Sequence, residues 1–127
     1  MSEAGAYDPT NIFARILRGE IPCKKVYEDA HVLAFNDINP QAPTHVLVIP
    51  KGAYVSLADL SANGSDAEIA ALFRAVGTIA RQIGAEDGGY RILANNGANA
   101  HQEVPHFHVH LFAGRKLGPM LSRKGGE

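Results

Sequence analysis

Near the carboxyl end of the sequence lies the heptapeptide His106-Phe107-His108-Val109-His110-Leu111-Phe112. Alternate side chains of a β-strand point to opposite faces of a sheet, so the three histidines are expected on one face and the apolar residues on the other. We therefore predict a strand over residues 103–112 with its apolar face in the core. Histidine is rarely a core residue, and a stripe of three imidazoles indicates a ligand.

In the residues before this strand, hydrophobic periodicity predicts two helices. A short amphipathic helix follows the capping residues 8–11 and is ended by Gly19. The long helix starts at Ser65-Asp66-Ala67-Glu68, which has the form of a capping box, and its apolar residues recur every 3.6 positions as far as Gly84.

Four further strands are predicted over residues 24–28, 31–36, 45–50 and 90–94. A tight turn at residues 28–30 joins the first two, and the proline-containing residues 37–43 form a fixed loop. This order of elements is typical of an α+β fold. We expect an antiparallel five-stranded meander sheet with one long and one short helix, in a single domain over residues 1–127. Its core spans about residues 10–115, and residues 116–127 form a C-terminal tail.

Composition limits the partners. The 12 Lys+Arg and 13 Asp+Glu residues give a net charge of −1, so no global field recruits nucleic acid or an anionic membrane. No run approaches the roughly 18 apolar residues of a bilayer span, and Glu3 and Asp8 stand where a signal peptide carries lysines. We expect a cytoplasmic protein. Cys23 is the only cysteine, which excludes an intrachain disulfide and a multi-cysteine zinc site.

Three explanations of the histidine stripe remain open at this point. The imidazoles could form a hydrogen-bonded, partly solvated polar face. They could bind zinc, with two nitrogens of the H-x-H pattern at about 2.0 Å and His45, His101 or a carboxylate completing the site. They could also perform nucleophilic catalysis. Phosphorus then fits better than carbonyl carbon as the electrophile, because the chain offers no convincing serine or cysteine nucleophile.

Catalytic chemistry favours His108 as the nucleophile. An imidazole that attacks through one nitrogen needs the proton on its other nitrogen to be held, commonly by a backbone carbonyl. The flanking His106 and His110 would then stabilise charge on the non-bridging oxygens of the transition state.

Two polar segments are ambiguous when the residues are considered alone. Residues 95–99, with Gln102 close behind them, combine amide donors with a flexible backbone that can approach an anion, but they also suit an ordinary turn. Asp37 can bind a ribose diol or cap its own turn before Pro40. For Asp37 the turn is the simpler interpretation.

The histidine stretch, extended to residues 102–112, resembles the signature H-φ-H-φ-H-φ-φ of the histidine triad (HIT) superfamily. The resemblance covers about residues 10–115 and includes Ile12-Phe13-Ala14-Arg15-Ile16, residues 34–45, residues 48–51, and Tyr90-Arg91. A short H-x-H run is weakly specific, but this full set in this order is highly specific. The compact chain is similar to the Hint branch of the superfamily.

The resemblance implies an activity. Hint proteins hydrolyse purine nucleoside phosphoramidates and related adenylated compounds to AMP or GMP, without a cofactor. By this resemblance His108 forms a nucleotidyl-histidine intermediate, His106 and His110 complete the triad, and His45 supports it from the neighbouring strand. The alternatives are a nucleotide-binding interaction module with residual activity, and a dinucleoside polyphosphate hydrolase or nucleotidyltransferase.

The resemblance also implies how the nucleotide and a partner are bound. Asp37 would bind the ribose hydroxyls, and Asn95 and Gln102 would lie beside the phosphate, which reverses the simpler interpretation of both polar segments. The base pocket would be lined by apolar residues, namely Ile12, Phe13, Ile16, Phe35 and Ile38. A homodimer with a continuous sheet is implied, with the long helix and an edge strand as contacts.

Several positions depart from the pattern of the superfamily. Many relatives carry a C-x-x-C pair that helps to bind zinc, but Asn11 and Ala14 occupy those positions here, so we expect no metal. Glu103 stands where eukaryotic Hint proteins have a serine that helps to protonate the leaving amine, and their Trp-Pro-Pro-Gly ending is absent. His101 and Pro105 are unfamiliar at their positions. The sequence therefore indicates a bacterial-type Hint protein whose leaving group is open.

Overall fold

A computed structural model describes residues 6–121 as helices packed on an antiparallel five-stranded sheet. In chain order the elements are α1 (Ile12–Leu17), β1 (Lys25–Glu28), β2 (Val32–Asn36), β3 (Thr44–Pro50), α2 (Leu57–Asn63), α3 (Asp66–Gln82), β4 (Tyr90–Leu93) and β5 (Val109–Ala113). The α+β class predicted from the sequence is confirmed. The end of the predicted tail, residues 122–127, lies outside the described residues.

The strand order is β1-β2-β3-β5-β4. The first three strands form the predicted meander, but β5 lies between β3 and β4, so the five strands are not one continuous meander. Burial explains the order. β2, β3 and β5 are the more buried strands and occupy the interior of the sheet, whereas the residues of β1 and β4 are exposed or half-buried, as suits the two edges.

Each face of the sheet contributes to a separate hydrophobic cluster, because side chains alternate along the strands. The α3 face carries the larger cluster, which includes Val32, Val46, Val48, Leu72, Val76, Ile79, Phe107, Val109 and Leu111. The opposite face carries the cluster of Phe13, Leu33, Phe35, Leu47 and Ile49. Burying each large side chain contributes roughly 1.5–3 kcal/mol. The sheet therefore separates the main core from the face that α1 covers.

Both predicted helices form with the caps that the sequence indicates. The side chain of Asn11 accepts a hydrogen bond from the Ala14 amide at 2.9 Å at the start of α1. Ser65 and Glu68 form the reciprocal capping box of α3, whose buried residues face the sheet. The caps fix where each helix begins, and the apolar stripe fixes which face packs.

Two features differ from the sequence-based expectation. No element was predicted between Lys51 and Gly64, yet α2 forms there, capped by Ser56 and buried mainly through Leu60. A helix of seven residues is too short for a clear periodicity.

The last strand begins at Val109 rather than at residue 103. Pro105 cannot donate to a ladder, and the Phe107 amide bonds instead to the Tyr54 carbonyl at 2.7 Å.

None of the helices in residues 6–121 is both long and apolar enough to span a membrane.

Candidate active site

The histidines meet where β3 and β5 pair, on the sheet face opposite α3. Leu47 of the α1-side cluster lies directly across from His110, and His45 lies across from Phe112. Residues opposite each other in an antiparallel pair share a face, so the imidazoles of His45 and His110 come together. His106 lies at a bend and His108 directly precedes β5, so both approach from the amino-terminal end of that strand.

His108 is held in one tautomer by a backbone carbonyl. Its Nδ1–H donates to the carbonyl oxygen of His106 at 2.7 Å, which leaves the Nε2 lone pair free to act as a nucleophile. The ring lies edge-on to Phe13, with centroids 4.9 Å apart. The sequence predicted an acceptor at this nitrogen, commonly a backbone carbonyl, and the acceptor is the carbonyl of the residue two positions earlier.

His106 is fully buried and bonded at both ring nitrogens. Its Nε2–H donates to the carbonyl oxygen of Pro50 at 2.8 Å, and its Nδ1 accepts from the Tyr7 hydroxyl at 2.6 Å. These bonds occupy both ring nitrogens, and the His106 side chain is not among those that line the pocket in front of His108. His106 contributes to the site through its backbone carbonyl, which accepts the hydrogen bond from His108.

A second chain of hydrogen bonds fixes His110. The Gln41 amide donates to His45 Nδ1 at 3.1 Å, so the neutral His45 ring carries its proton on Nε2. This Nε2–H donates to His110 Nδ1 at 2.9 Å, with Asp37 Oδ2 at 3.5 Å from the same nitrogen. His110 therefore carries its own proton on Nε2. The site holds one imidazole acceptor, His108, beside one imidazole donor, His110, with ring centroids 5.0 Å apart.

Burial keeps the four imidazoles neutral. Desolvation is the main cause that lowers the pKa of His106 to about 4, and the bond to the Pro50 carbonyl only partly opposes it. Desolvation also lowers the pKa of His110 to about 4, helped by the neighbouring His108 and His45. For His108 and His45 burial again lowers the pKa, and the charge of Asp37 works against it. Neutral rings act here as hydrogen-bond donors and acceptors rather than as cations.

A pocket of about 160 Å³, the triad pocket, opens in front of His108 and His110. Its lining side chains come from α1, β3, β5 and the loops around them, and are Phe13, Asp37, Gln41, Leu47, Asn95, His101, Glu103, Val104, His108 and His110. A neighbouring cavity of about 640 Å³ is lined by residues that include Pro22, Asn36, Asp37 and Ile38. Asp37 lines both spaces and stands between them.

The apolar residues assigned to a base pocket do not all converge on one cavity. Phe13 lines the triad pocket and packs on the buried Phe35. Ile38 is 85% exposed on the wall of the larger cavity, Ile16 lines another cavity of about 440 Å³, and Ile12 is 42% exposed. Thus Phe13, beside the triad, and Ile38, beside Asp37, lie closest to the expected nucleotide position.

Of the two predicted phosphate ligands, only Asn95 lines the triad pocket. Gln102 is used in structural bonds: its amide donates to the carbonyls of Val55 and Val104 at 2.7 and 3.0 Å, and its oxygen accepts from the Gly97 amide at 2.9 Å. These bonds hold the loop between β4 and β5 against the chain before α2. The loop in turn carries Asn95 to the pocket.

Two participants were missed by sequence reasoning. Tyr7 lies outside every predicted element, and nothing in the pattern links it to His106 across 99 positions. Gln41 acts through its backbone amide on His45, which no side-chain pattern can reveal. The Tyr7 contact is long-range, whereas the Gln41 contact spans only four residues, and both depend on how the backbone folds.

Asp37, His45 and His110 are grouped closely enough to be considered as metal ligands, with their ligand atoms within 4.8 Å of one another. Two ligands of a tetrahedral zinc ion at 2.0–2.1 Å would lie about 3.3 Å apart. The His45 and His110 nitrogens are closer, at 2.9 Å, which is the distance of a hydrogen bond. Geometry at this pair therefore fits a donor–acceptor pair better than a shared ion.

Together, the fold and the site define a class of small α+β protein in which a tautomer-fixed histidine faces an open pocket beside a carboxylate. The model of the HIT domain matches residues 18–117, and the chain belongs to the HIT domain family.

Relatives and a solved structure agree with this assignment. The chain is 68% identical over 120 residues to an uncharacterized 13.2 kDa HIT-like protein of Azospirillum brasilense, covering 94% of this chain and 98% of that protein. It is 46% identical over 114 residues to the purine nucleoside phosphoramidase of Escherichia coli K12, covering 90% and 95% of the two chains. The crystal structure of a HIT family hydrolase from Legionella pneumophila superposes with a TM-score of 0.79 at 38% identity, covering 84% and 95%.

Proposed function

We propose that this protein hydrolyses purine nucleoside phosphoramidates and related adenylated compounds, releasing AMP or GMP through a nucleotidyl intermediate on His108. One observation carries the proposal: the Nδ1–H of His108 is bonded to the His106 carbonyl at 2.7 Å in a pocket that also holds His110 and Asn95. Similarity to a purine nucleoside phosphoramidase supports the substrate class.

In the first step His108 Nε2 attacks phosphorus, a P–Nε2 bond forms and the P–N bond to the leaving amine breaks. The attacking ring becomes an imidazolium whose Nδ1–H stays on the His106 carbonyl, and the departing amine takes a proton from water, which leaves a hydroxide ion. In the second step this hydroxide attacks phosphorus, a P–O bond forms and the P–Nε2 bond breaks, which returns His108 to the neutral ring and releases the nucleoside monophosphate. His110 and Asn95 donate to the phosphoryl oxygens as charge develops.

The position of Asp37 supports its assignment to the ribose. Ribose lies between base and phosphate in a nucleotide, and Asp37 lies between the larger cavity and the triad pocket. A cavity of about 640 Å³ is within the usual size of a small-molecule site. The base would lie there against Ile38, with the phosphate at His108.

We further propose a homodimer that pairs β4 edges. α3 packs over β1, β2 and β3, whereas β4 lies at the sheet edge. Ile92 lies across from Leu111 of the α3-side core and so shares that face, yet it is 40% exposed. Half-exposed apolar residues on an edge strand favour pairing with a second copy.

The decisive experiment is rapid mixing with adenosine 5′-phosphoramidate labelled in the adenylyl group, quenched into alkaline detergent because phosphorus–imidazole bonds are acid-labile. Label is expected on the wild-type chain during turnover and not on His108→Gly. The matched control is His31→Gly, which removes an exposed histidine outside the site. Retained turnover in His108→Gly would contradict the mechanism, and tight AMP binding without turnover would instead support an interaction module.

A further inference from the structure

The mouth of the triad pocket carries a polar pair that the proposed mechanism does not use. His101 and Glu103 line the same pocket as His108 and His110, but their side chains are 85% and 75% exposed. His101 Nε2 lies 2.9 Å from Glu103 Oε2, so the imidazole N–H donates to the carboxylate. The pair stands where the pocket opens to solvent.

The backbone places this pair in an unusual way. Among residues 6–121, His101 is the non-glycine residue with positive φ, at φ 60° and ψ 44°. Its amide bonds to the Ala98 carbonyl at 3.0 Å, which closes the short turn before it. A non-glycine residue adopts this left-handed backbone conformation at a higher free energy than glycine does. Here that position brings the imidazole to Glu103.

The pair lies on the side of the triad pocket that remains for the leaving group. In a displacement at phosphorus, the leaving group departs opposite the attacking atom, which is His108 Nε2. Phe13 and Asp37 lie on the nucleoside side by the proposed function. His101 and Glu103 form the remaining polar wall of the pocket. They lie at its solvent-exposed end, where the amine must leave.

From this geometry we propose that Glu103, held by His101, determines specificity for the charge of the leaving amine. The inference rests on the proposed function and names the substrate subclass. The Glu103 carboxylate accepts the imidazole N–H and contributes a negative charge to this wall, so it attracts an amine that bears a second, cationic group and repels one that bears a carboxylate. Solvent exposure screens the interaction, so the discrimination is modest and depends on salt.

The test compares three adenosine 5′-phosphoramidates that differ only in the amine, made from ethylenediamine, propylamine and β-alanine. Values of kcat/KM are measured at about pH 8 and at low salt. In Glu103→Gln the ratio of the cationic to the anionic substrate falls by about tenfold. In His101→Gly the same ratio rises about threefold, because the carboxylate loses its hydrogen-bond donor. For the wild type the ratio falls as salt is added.

The matched control is Glu86→Gln, which removes an exposed carboxylate paired with Arg81 away from the pocket and leaves the ratio as in the wild type. A ratio that stays within twofold in Glu103→Gln overturns the inference, and so does an equal loss on all three substrates. Both of those outcomes leave the proposed function standing. If the wild type hydrolyses none of the three, the proposed function itself fails. Melting curves verify that the exposed substitutions leave the fold intact.

Discussion

At the scale of single residues, the site depends on neutral imidazoles whose protons are placed by neighbours. Tyr7 and the Pro50 carbonyl hold His106, the His106 carbonyl holds His108, and His45 holds His110. Each bond sets which nitrogen donates and which accepts. Removing a partner that the substrate does not touch therefore changes the hydrogen bonding of an imidazole in the site.

Tyr7→Phe tests the outermost of these bonds. The substitution leaves the buried His106 Nδ1 without a donor, so the free energy of unfolding should fall by about 1–3 kcal/mol. Urea denaturation at neutral pH measures it. The matched control is Tyr27→Phe, whose hydroxyl bonds to Asp29, a carboxylate that also accepts two backbone amides, so a smaller loss is expected. Equal effects of the two substitutions would argue against a special role of Tyr7.

Protonation of the site should destabilise the fold in mild acid. The folded-state pKa of His106 and of His110 is about 4, below the value near 6.5 of an unfolded histidine. The unfolded chain therefore binds protons first as the pH falls. The stabilisation is complete above pH 6.5 and is lost between about pH 6.5 and 4.

The size of this effect is measurable by urea denaturation at two pH values. Between pH 7 and 5 we expect a loss of about 2–4 kcal/mol from the buried histidines together. His110→Gln removes one titrating ring and should reduce that loss. A pH dependence as steep in His110→Gln as in the wild type would contradict the assignment of His110.

At the scale of elements, sequence reasoning succeeded where the hydrophobic pattern was long. The capping box at Ser65 and the apolar stripe after it located α3, and short apolar runs bounded by turns located β2 and β3. It failed where a tertiary contact overrode the local pattern. The histidine run alternates as a strand would, but its first half bonds to the Tyr54 carbonyl and to its own side chains instead of a ladder.

The capping box gives a prediction at this scale. Ser65→Ala removes the acceptor for the Glu68 amide and should lower the free energy of unfolding by about 1 kcal/mol. The control is Ser61→Ala inside α2, whose hydroxyl only bonds back to the Ala58 carbonyl in an exposed turn. That substitution should be nearly neutral, because alanine is the better helix former. Chemical denaturation distinguishes the two variants.

At the scale of the whole molecule, the two faces of the sheet have different tasks. The α3 face holds the larger core, while the α1 face and the loop after β4 hold the site. Five of the ten residues that line the triad pocket were site candidates in the sequence, namely Phe13, Asp37, Asn95, His108 and His110. The histidines show their chemistry in the sequence pattern, whereas the other three were assigned through the family resemblance. The sequence could not show that Gln102 braces a loop, since that depends on where Val55 lies.

The edge strand gives the prediction for assembly. Ile92→Lys places a charge on the exposed α3 face of β4 and should convert a dimer into a monomer. Size-exclusion chromatography with light scattering gives the mass. Leu57→Lys is the matched control, because Leu57 is similarly exposed, at 45%, on α2. A wild-type chain of monomer mass would contradict the proposed homodimer.

The carbonyl that orients His108 has a consequence for mutational tolerance. In many catalytic sites the orienting acceptor is a carboxylate that a single codon change can delete. Here the acceptor is a peptide oxygen, which every amino acid at position 106 would still provide while the chain keeps its path. A saturation library at position 106 should thus show functional variants graded by how well each side chain fills the buried space, whereas a library at position 108 should show almost none.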